Sequence, residues 1–382
     1  CKLKKKYIIF SIVTLVLLVT LVTCFNYFKT SNNYVDDSVN NQTKIIKGIS
    51  MNLEQTAGAG DYKTVTQSSW PTEGYKFNTE LSRCENGSTL SWDDSKKAVV
   101  MNGNVSDKCY VYFDKVLTLA NYVISQYTGI QGENSLYYHD SNLANGVGDN
   151  SYRYAGASDS VNNYICLGSD AATCPDDNLF RIIGVFGAQT KVIRAKSVGN
   201  QKWDTSSSNK WSSSSLNTYL NGTYLTSLGT LKNKIATTTW KVGGGTPANI
   251  SEVVPATAYK NEVGSSASRT IVNKKIGLMY VTDYYYSASP SAWTLVGYNS
   301  SDTTKDYRVA KTINWLYLGS YEWTISCHSG TSYSAFGVGN LGYVSGYFDV
   351  STSSAVRPTF NLESSVKYVS GSGSMSDPVR VN

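Results

Sequence analysis

The chain has 382 residues and a formal charge of +6, yet charged residues make up only 16% of it. Four of those positive charges are Lys2, Lys4, Lys5 and Lys6, so the rest of the chain carries +2 (6 − 4) and has no long basic run, which excludes a nucleic-acid partner. With 29 Tyr and 8 Trp against 2 His, the composition is that of an extracellular β-rich protein, because aromatic and β-branched side chains suit pleated, half-buried surfaces.

Behind the lysines, Tyr7 to Phe28 is an uncharged run. A helix over it, at ~1.5 Å per residue, reaches roughly 33 Å and covers a ~30 Å hydrocarbon core. The lysine flank predicts a cytoplasmic N-terminus. The expectation for residues 1–28 is therefore an uncleaved single-pass anchor in the cell membrane, with an extracellular C-terminal body. Two alternatives stay open. One is a cleaved signal, although no Ala-x-Ala-like site lies between Thr20 and Asn33; the other is a lipoprotein modified at Cys24.

Residues 29–47 are rich in Asn, Ser and Asp and read as a linker. Residues 48–114 read as a small all-β, sandwich-like module. Short alternating runs at Tyr62–Thr66, Lys97–Met101 and Cys109–Phe113 are separated by turn signals such as Glu85-Asn86-Gly87 and Asn102-Gly103-Asn104. The period then changes. Val116, Leu117, Ala120, Val123, Ile124 and Tyr127 form a helical stripe over 115–128, with Gly129 as its stop, and a Gly/Asn-rich loop completes a helix-and-linker segment to 150.

Residues 151–382 read as one larger α+β domain. It opens with strands at Tyr152–Ala155, Tyr164–Leu167, Leu179–Phe186 and Lys191–Ala195. A short helix from about Ser214 to Leu220 follows, where serine caps a Leu216/Tyr219/Leu220 face. A second is allowed near Thr226–Lys234, weakened by Gly229. In an oxidising compartment the cysteine spacing pairs Cys84 with Cys109 and Cys166 with Cys174, leaving Cys327 alone; free buried thiols are the alternative. Neither spacing is that of a zinc site, and no metal or cofactor is expected.

Five motifs in the larger domain carry a resemblance. They are Asp177-Asn178-Leu179-Phe180-Arg181-Ile182-Ile183-Gly184; Trp203-Asp204 with Trp211, Ser214, Leu216, Asn217, Tyr219, Leu220 and Asn221; and the later Asn314-Trp315-Leu316, Glu322–Ser326 and Val356–Leu362. Together they resemble an uncharacterised bacterial family, domain of unknown function 6273, over about residues 150–382. Residues 49–114 look like a module that often precedes it in Gram-positive cell-envelope proteins. The tryptophan and Arg-Pro pattern is in turn similar to the formylglycine-generating-enzyme and C-type-lectin-like fold. That likeness implies a lectin-like or sulfatase-modifying-factor-like α+β domain and transfers no function.

The chemistry-bearing residues are few. The oxidase of that fold would need a cysteine pair where only Cys327 stands, and the acidic and amide triplets of a calcium-dependent lectin are missing. Cys327-His328 invites a Cys–His nucleophile, but neighbours on a strand point to opposite faces, which leaves His328 an incidental exposed residue. Asp283, Glu322 and Asp349 are acids without a spacing that selects a glycosidase pair. No catalytic residue is assigned. Trp211, Trp315 and Trp323 read as core, and Arg357 as a buried ion-pair or loop-anchoring residue.

The tyrosine clusters Tyr284-Tyr285-Tyr286 and Tyr343/Tyr347 suit a contact surface of amphipathic rings. Tyr284, Tyr285, Tyr286 and Trp293, with Pro290 keeping the stretch out of a central strand, are the expected ligand-binding loop. The function expected is non-catalytic binding of a glycan or surface-protein ligand at the cell surface. The alternative is a carboxylate-based hydrolase acting on wall polymer.

Overall fold

The computed structural model describes residues 34–37, 42–45, 48–66, 69–71, 74–243, 245–264 and 270–382. The chain divides into two compact units between Leu117 and Thr118.

In the first unit, Ile49–Glu54 and Cys109–Lys115 run parallel at the middle of a sheet. Tyr62–Val65, Tyr75–Phe77 and Arg83–Cys84 pair antiparallel around them. Thr89–Asp93 and Ala98–Asn102 form a separate hairpin, as do Tyr34–Asp37 and Gln42–Ile45. The period of two in Cys109–Lys115 turns Cys109, Val111 and Phe113 inward, where Met51, Leu53, Phe77 and Val99 meet the latter two. Cys84 lies directly opposite Cys109 in the ladder, and the two are disulfide-bonded.

In the second unit, the helical stripe becomes Leu119–Ser125, shorter than expected, capped by Thr118, whose hydroxyl accepts from the Asn121 N–H. Nine strands form the main sheet. Its path runs Ile276–Gly277, Thr359–Leu362, Gln189–Arg194, Leu179–Phe186, Tyr164–Cys166, Val379–Val381, Tyr368–Ser370, with Leu136–Tyr138 and Tyr152–Tyr154 joined through Leu179–Phe186. Leu179 to Val185 are all buried, which accounts for the unbroken apolar run. Gly184 sits there because a Cβ would come within 2.2 Å of the Tyr152 carbonyl oxygen. The second disulfide, Cys166–Cys174, ties the end of one strand to its following loop, and Cys327 is free and buried.

A second sheet of five strands orders Asn200–Lys202, Ser353–Ala355, Glu322–Cys327, Ser334–Val338 and Val344–Asp349. Trp203, Trp211 and Trp323 stack edge-on in its core, at 4.9 and 5.7 Å between ring centroids. Trp315 is buried elsewhere in the unit, its Nε1–H on the Tyr154 carbonyl.

The expected fold class needs correction. The described chain is mostly β-sheet with a few short helices, and the segment assigned to a transmembrane helix, residues 1–28, lies outside the described residues. Among the described residues no helix is long and apolar enough to cross a membrane. The physical reason is that their apolar runs are strand-length and closed by turn residues; even the helix Pro255–Glu262 has only eight residues.

Arg357, as expected, is half of a buried ion pair. Its Nε lies 2.6 Å from Glu322 Oε1 and its Nη2 2.8 Å from Oε2, with both side chains almost fully enclosed. Arg357→Met alone strands a buried carboxylate and should cost about 3–5 kcal/mol, whereas Arg357→Met combined with Glu322→Leu should recover most of it. Urea unfolding of the two single variants and the double variant measures the difference.

Candidate functional site

The tyrosine loop is the first correction. Val281–Tyr286 is a short helix, and Tyr284, Tyr285, Tyr286 and Trp293 are buried. Successive residues of a helix point about 100° apart, so three adjacent rings leave it in three directions. Each direction is filled. Tyr284 and Tyr285 pack on Tyr307, and Tyr286 on His139 and Trp293. Each phenol donates to a backbone carbonyl, of Gly342, Ile250 and Asn145 respectively. Trp293 Nε1 donates to the Ala288 carbonyl. Pro290 opens a turn of 3-10 helix and lies outside any strand. Tyr285→Ala should therefore cost about 3–5 kcal/mol, read as a shift in the urea midpoint, and replacing all three tyrosines by Ser should prevent folding.

One open cleft of the second unit lies instead beside the five-stranded sheet. It is a cleft of about 550 Å³ between Asn209–Ser212 and Cys327–Ser332, with Val242, Gly243 and Thr270 completing its lining. Both walls are tied down from within. Asn209 Nδ2 lies 2.7–2.8 Å from the carbonyl oxygens of His328, Thr331 and Ser334, and its N–H donates to Ser332. Asp204, buried, accepts from the N–H groups of Ser206, Ser208 and Ser215 and thereby shapes the loop leading to Trp211. Burial alone would raise its pKa; the Ser206 hydroxyl and then those N–H donors hold it below the ordinary value.

His328 is buried at the cleft, not exposed as expected. Its Nδ1 accepts the Gly330 N–H at 2.9 Å. Burial lowers its pKa, so the ring is neutral at pH 7 and Nε2 carries the proton. The imidazole lies over Phe336, and Gly330 and Gly346 leave room for it: a Cβ at those positions would meet the ring at 2.7 and 3.2 Å. Its Nε2, the Trp211 Nε1 and the Thr331 Oγ1 are buried without a hydrogen-bond partner among the described residues. Buried polar atoms of proteins are ordinarily bonded, and these three all belong to residues that line the cleft. At the rim the Tyr347 ring stands 5.3 Å from His328 and is 65% exposed.

A Cys–His nucleophile is not assembled. The Cys327 thiol donates to the Val242 carbonyl, burial pushes its pKa up to about 11, and the His328 Nδ1 is already occupied. The described lining holds no carboxylate. The three acids considered from sequence are dispersed: Asp283 is paired with Lys191, Glu322 with Arg357, and Asp349 caps Ser351. No group of three or more metal-ligating side chains occurs among the described residues. Of the cleft, sequence reasoning had singled out Tyr347 as a contact residue. It missed Asn209 and the unpaired Nε1 of Trp211, which had been read only as core.

All these cleft residues fall within one stretch of the chain. Residues 188–364 match the family model described as Domain of unknown function (DUF6273). No curated protein matches this chain. No solved structure matches it either, so the expected likeness to the lectin and sulfatase-modifying folds has no support from that comparison.

His139, below Tyr286 and Trp293, sets a pH dependence. Burial first, then the charge of Arg153, push its pKa down to about 2 against the opposing Asp149. The folded imidazole is neutral while the unfolded one gains a proton below its ordinary 6.5. Stability is therefore full above that value and falls with pH, by up to about 2 kcal/mol at pH 5. His139→Phe should flatten that part of the slope in urea melts at pH 7 and 5.

Proposed function

We propose that the second unit is the binding head of an extracellular surface protein, and that the cleft between Asn209–Ser212 and Cys327–Ser332 takes a hydroxyl-rich ligand such as a glycan without catalysis. The observation that carries this is the trio of polar atoms without a partner among the described residues, His328 Nε2, Trp211 Nε1 and Thr331 Oγ1, in the lining beside the exposed ring of Tyr347. Sugars offer hydroxyls in the plane of the ring and C–H groups on its faces. A site for them combines fixed donors and acceptors with an aromatic platform.

Two further features support the reading. The disulfides Cys84–Cys109 and Cys166–Cys174 suit an oxidising, extracytoplasmic compartment. The described lining holds no carboxylate and so lacks the pair that glycoside hydrolysis needs, which disfavours the wall-polymer hydrolase at this cleft.

A panel of immobilised glycans and purified cell-wall fragments, probed with the full chain, tests the proposal. Binding should weaken about tenfold in Tyr347→Ala and in His328→Ala, each a loss of about 1.4 kcal/mol. Circular dichroism of both variants should remain that of the parent. Release of new reducing ends from any fragment, or binding indifferent to both substitutions, would overturn it.

A further inference from the structure

A second cluster, on the nine-stranded sheet, has chemistry that the cleft does not use. Lys191 belongs to the strand Gln189–Arg194, and its Nζ lies 2.5 Å from Asp283 Oδ2. Asp283 is the third residue of the helix Val281–Tyr286, and its Oδ2 also receives the Tyr280 N–H at 2.8 Å. The two side chains are 7% and 3% exposed. Aromatic rings enclose the amine: the centroid of Tyr280 is 4.6 Å from Nζ, and those of Trp240 and Phe186 are 5.6 Å away. A cavity of about 160 Å³ adjoins the pair.

The surrounding charges are committed elsewhere. Arg153 is bonded to Asp149 at 2.6 Å. Glu262 accepts from the N–H groups of Val281 and Thr282 and from the hydroxyls of Thr282 and Ser326, which fixes the two residues ahead of Asp283. A buried lysine–carboxylate pair has lost the hydration of both ions, and its neutral form, an amine beside a carboxylic acid, is the reactive one. Burial does lower the Lys191 pKa, against the opposing charge of Asp283.

We infer that Lys191 and Asp283 condense to an intramolecular isopeptide bond. The ammonium passes a proton to the carboxylate across the contact. The amine lone pair then attacks Cγ and the Nζ–Cγ bond forms; a proton of that nitrogen passes to the carboxyl hydroxyl, the Cγ–O bond breaks, and the oxygen leaves as water. The ammonium and carboxylate become one neutral amide and one water, so no oxidant or activating group is needed. Fixing both partners in contact supplies the proximity that makes such a step unimolecular. Thr238 Oγ1 and Asn361 Oδ1, in the cavity lining and without a partner among the described residues, are placed to hold the departing water. The bond joins the sheet to the helix across 92 positions of sequence.

Intact-mass spectrometry of the full chain, reduced and denatured, decides the matter. The expected mass is below that of the reduced sequence by one water, with a branched peptide joining Lys191 to Asp283 in the digest. Lys191→Arg should restore the full mass and lower the melting temperature. Asp283→Asn should still cross-link, losing ammonia in place of water. A parent chain at its full mass, or a deficit located at any other residue, overturns the inference whether or not the variants fold.

Discussion

The second unit is held together where its two sheets meet, at the fork of Arg357 on Glu322. Glu322 begins a strand of the five-stranded sheet, and Arg357 stands two residues before a strand of the nine-stranded sheet. The guanidinium also donates to the Leu316 carbonyl at 2.6 Å, so one side chain fixes two strand starts and a loop. The planar geometry matters. A lysine could reach one carboxylate oxygen but could not hold both oxygens and a third acceptor at once. From Glu322 the strand runs through Trp323, whose ring supports Trp203, on to His328 at the cleft. The position of the cleft wall is thus a consequence of the buried pair.

The scarcity of charge in this chain shapes the cleft as well as the surface. The loops around it are stabilised by Ser, Asn and Asp side chains bonding to backbone, as at Asp204, Asn209 and Ser214. Such loops need no ion pairs, and the charged side chain in the described lining is that of Lys210. The donors that remain unpaired, the indole and imidazole N–H groups, are rigid and carry no formal charge.

How much of this was legible depended on range. The disulfides could be read because each pair is close in sequence and confined to one module. The buried tryptophans and Arg357 could be read because residues of that size and charge have few alternatives inside a β-rich fold. The tyrosines Tyr284–Tyr286 were misread because adjacent amphipathic rings ahead of Pro290 have the composition of a contact loop. A helix of one and a half turns, covered on every side, buries all three. The cleft itself was not legible. Its walls are about 120 positions apart, joined by the amide of Asn209, and no local pattern reports a contact of that separation. His328 looked exposed because strand alternation sets it on the face opposite Cys327; its cover comes from Phe336 and from the space left by Gly330 and Gly346.

The two buried pairs, Arg357–Glu322 and Lys191–Asp283, show how the identity of the cation decides what burial can lead to. Both join an element of the main sheet to a neighbouring element, and both are nearly closed to solvent. A guanidinium stays protonated in any protein interior and spreads its charge over a fork that matches the carboxylate; the pair with Glu322 can only remain an ion pair. An ammonium is a point charge that burial readily deprotonates, and once neutral it is a nucleophile held against a carboxyl carbon. The same desolvation that makes the arginine pair a positioning device makes the lysine pair a reactive one, and the aromatic walls around Lys191 strengthen that tendency by offering its charge only ring faces besides Asp283.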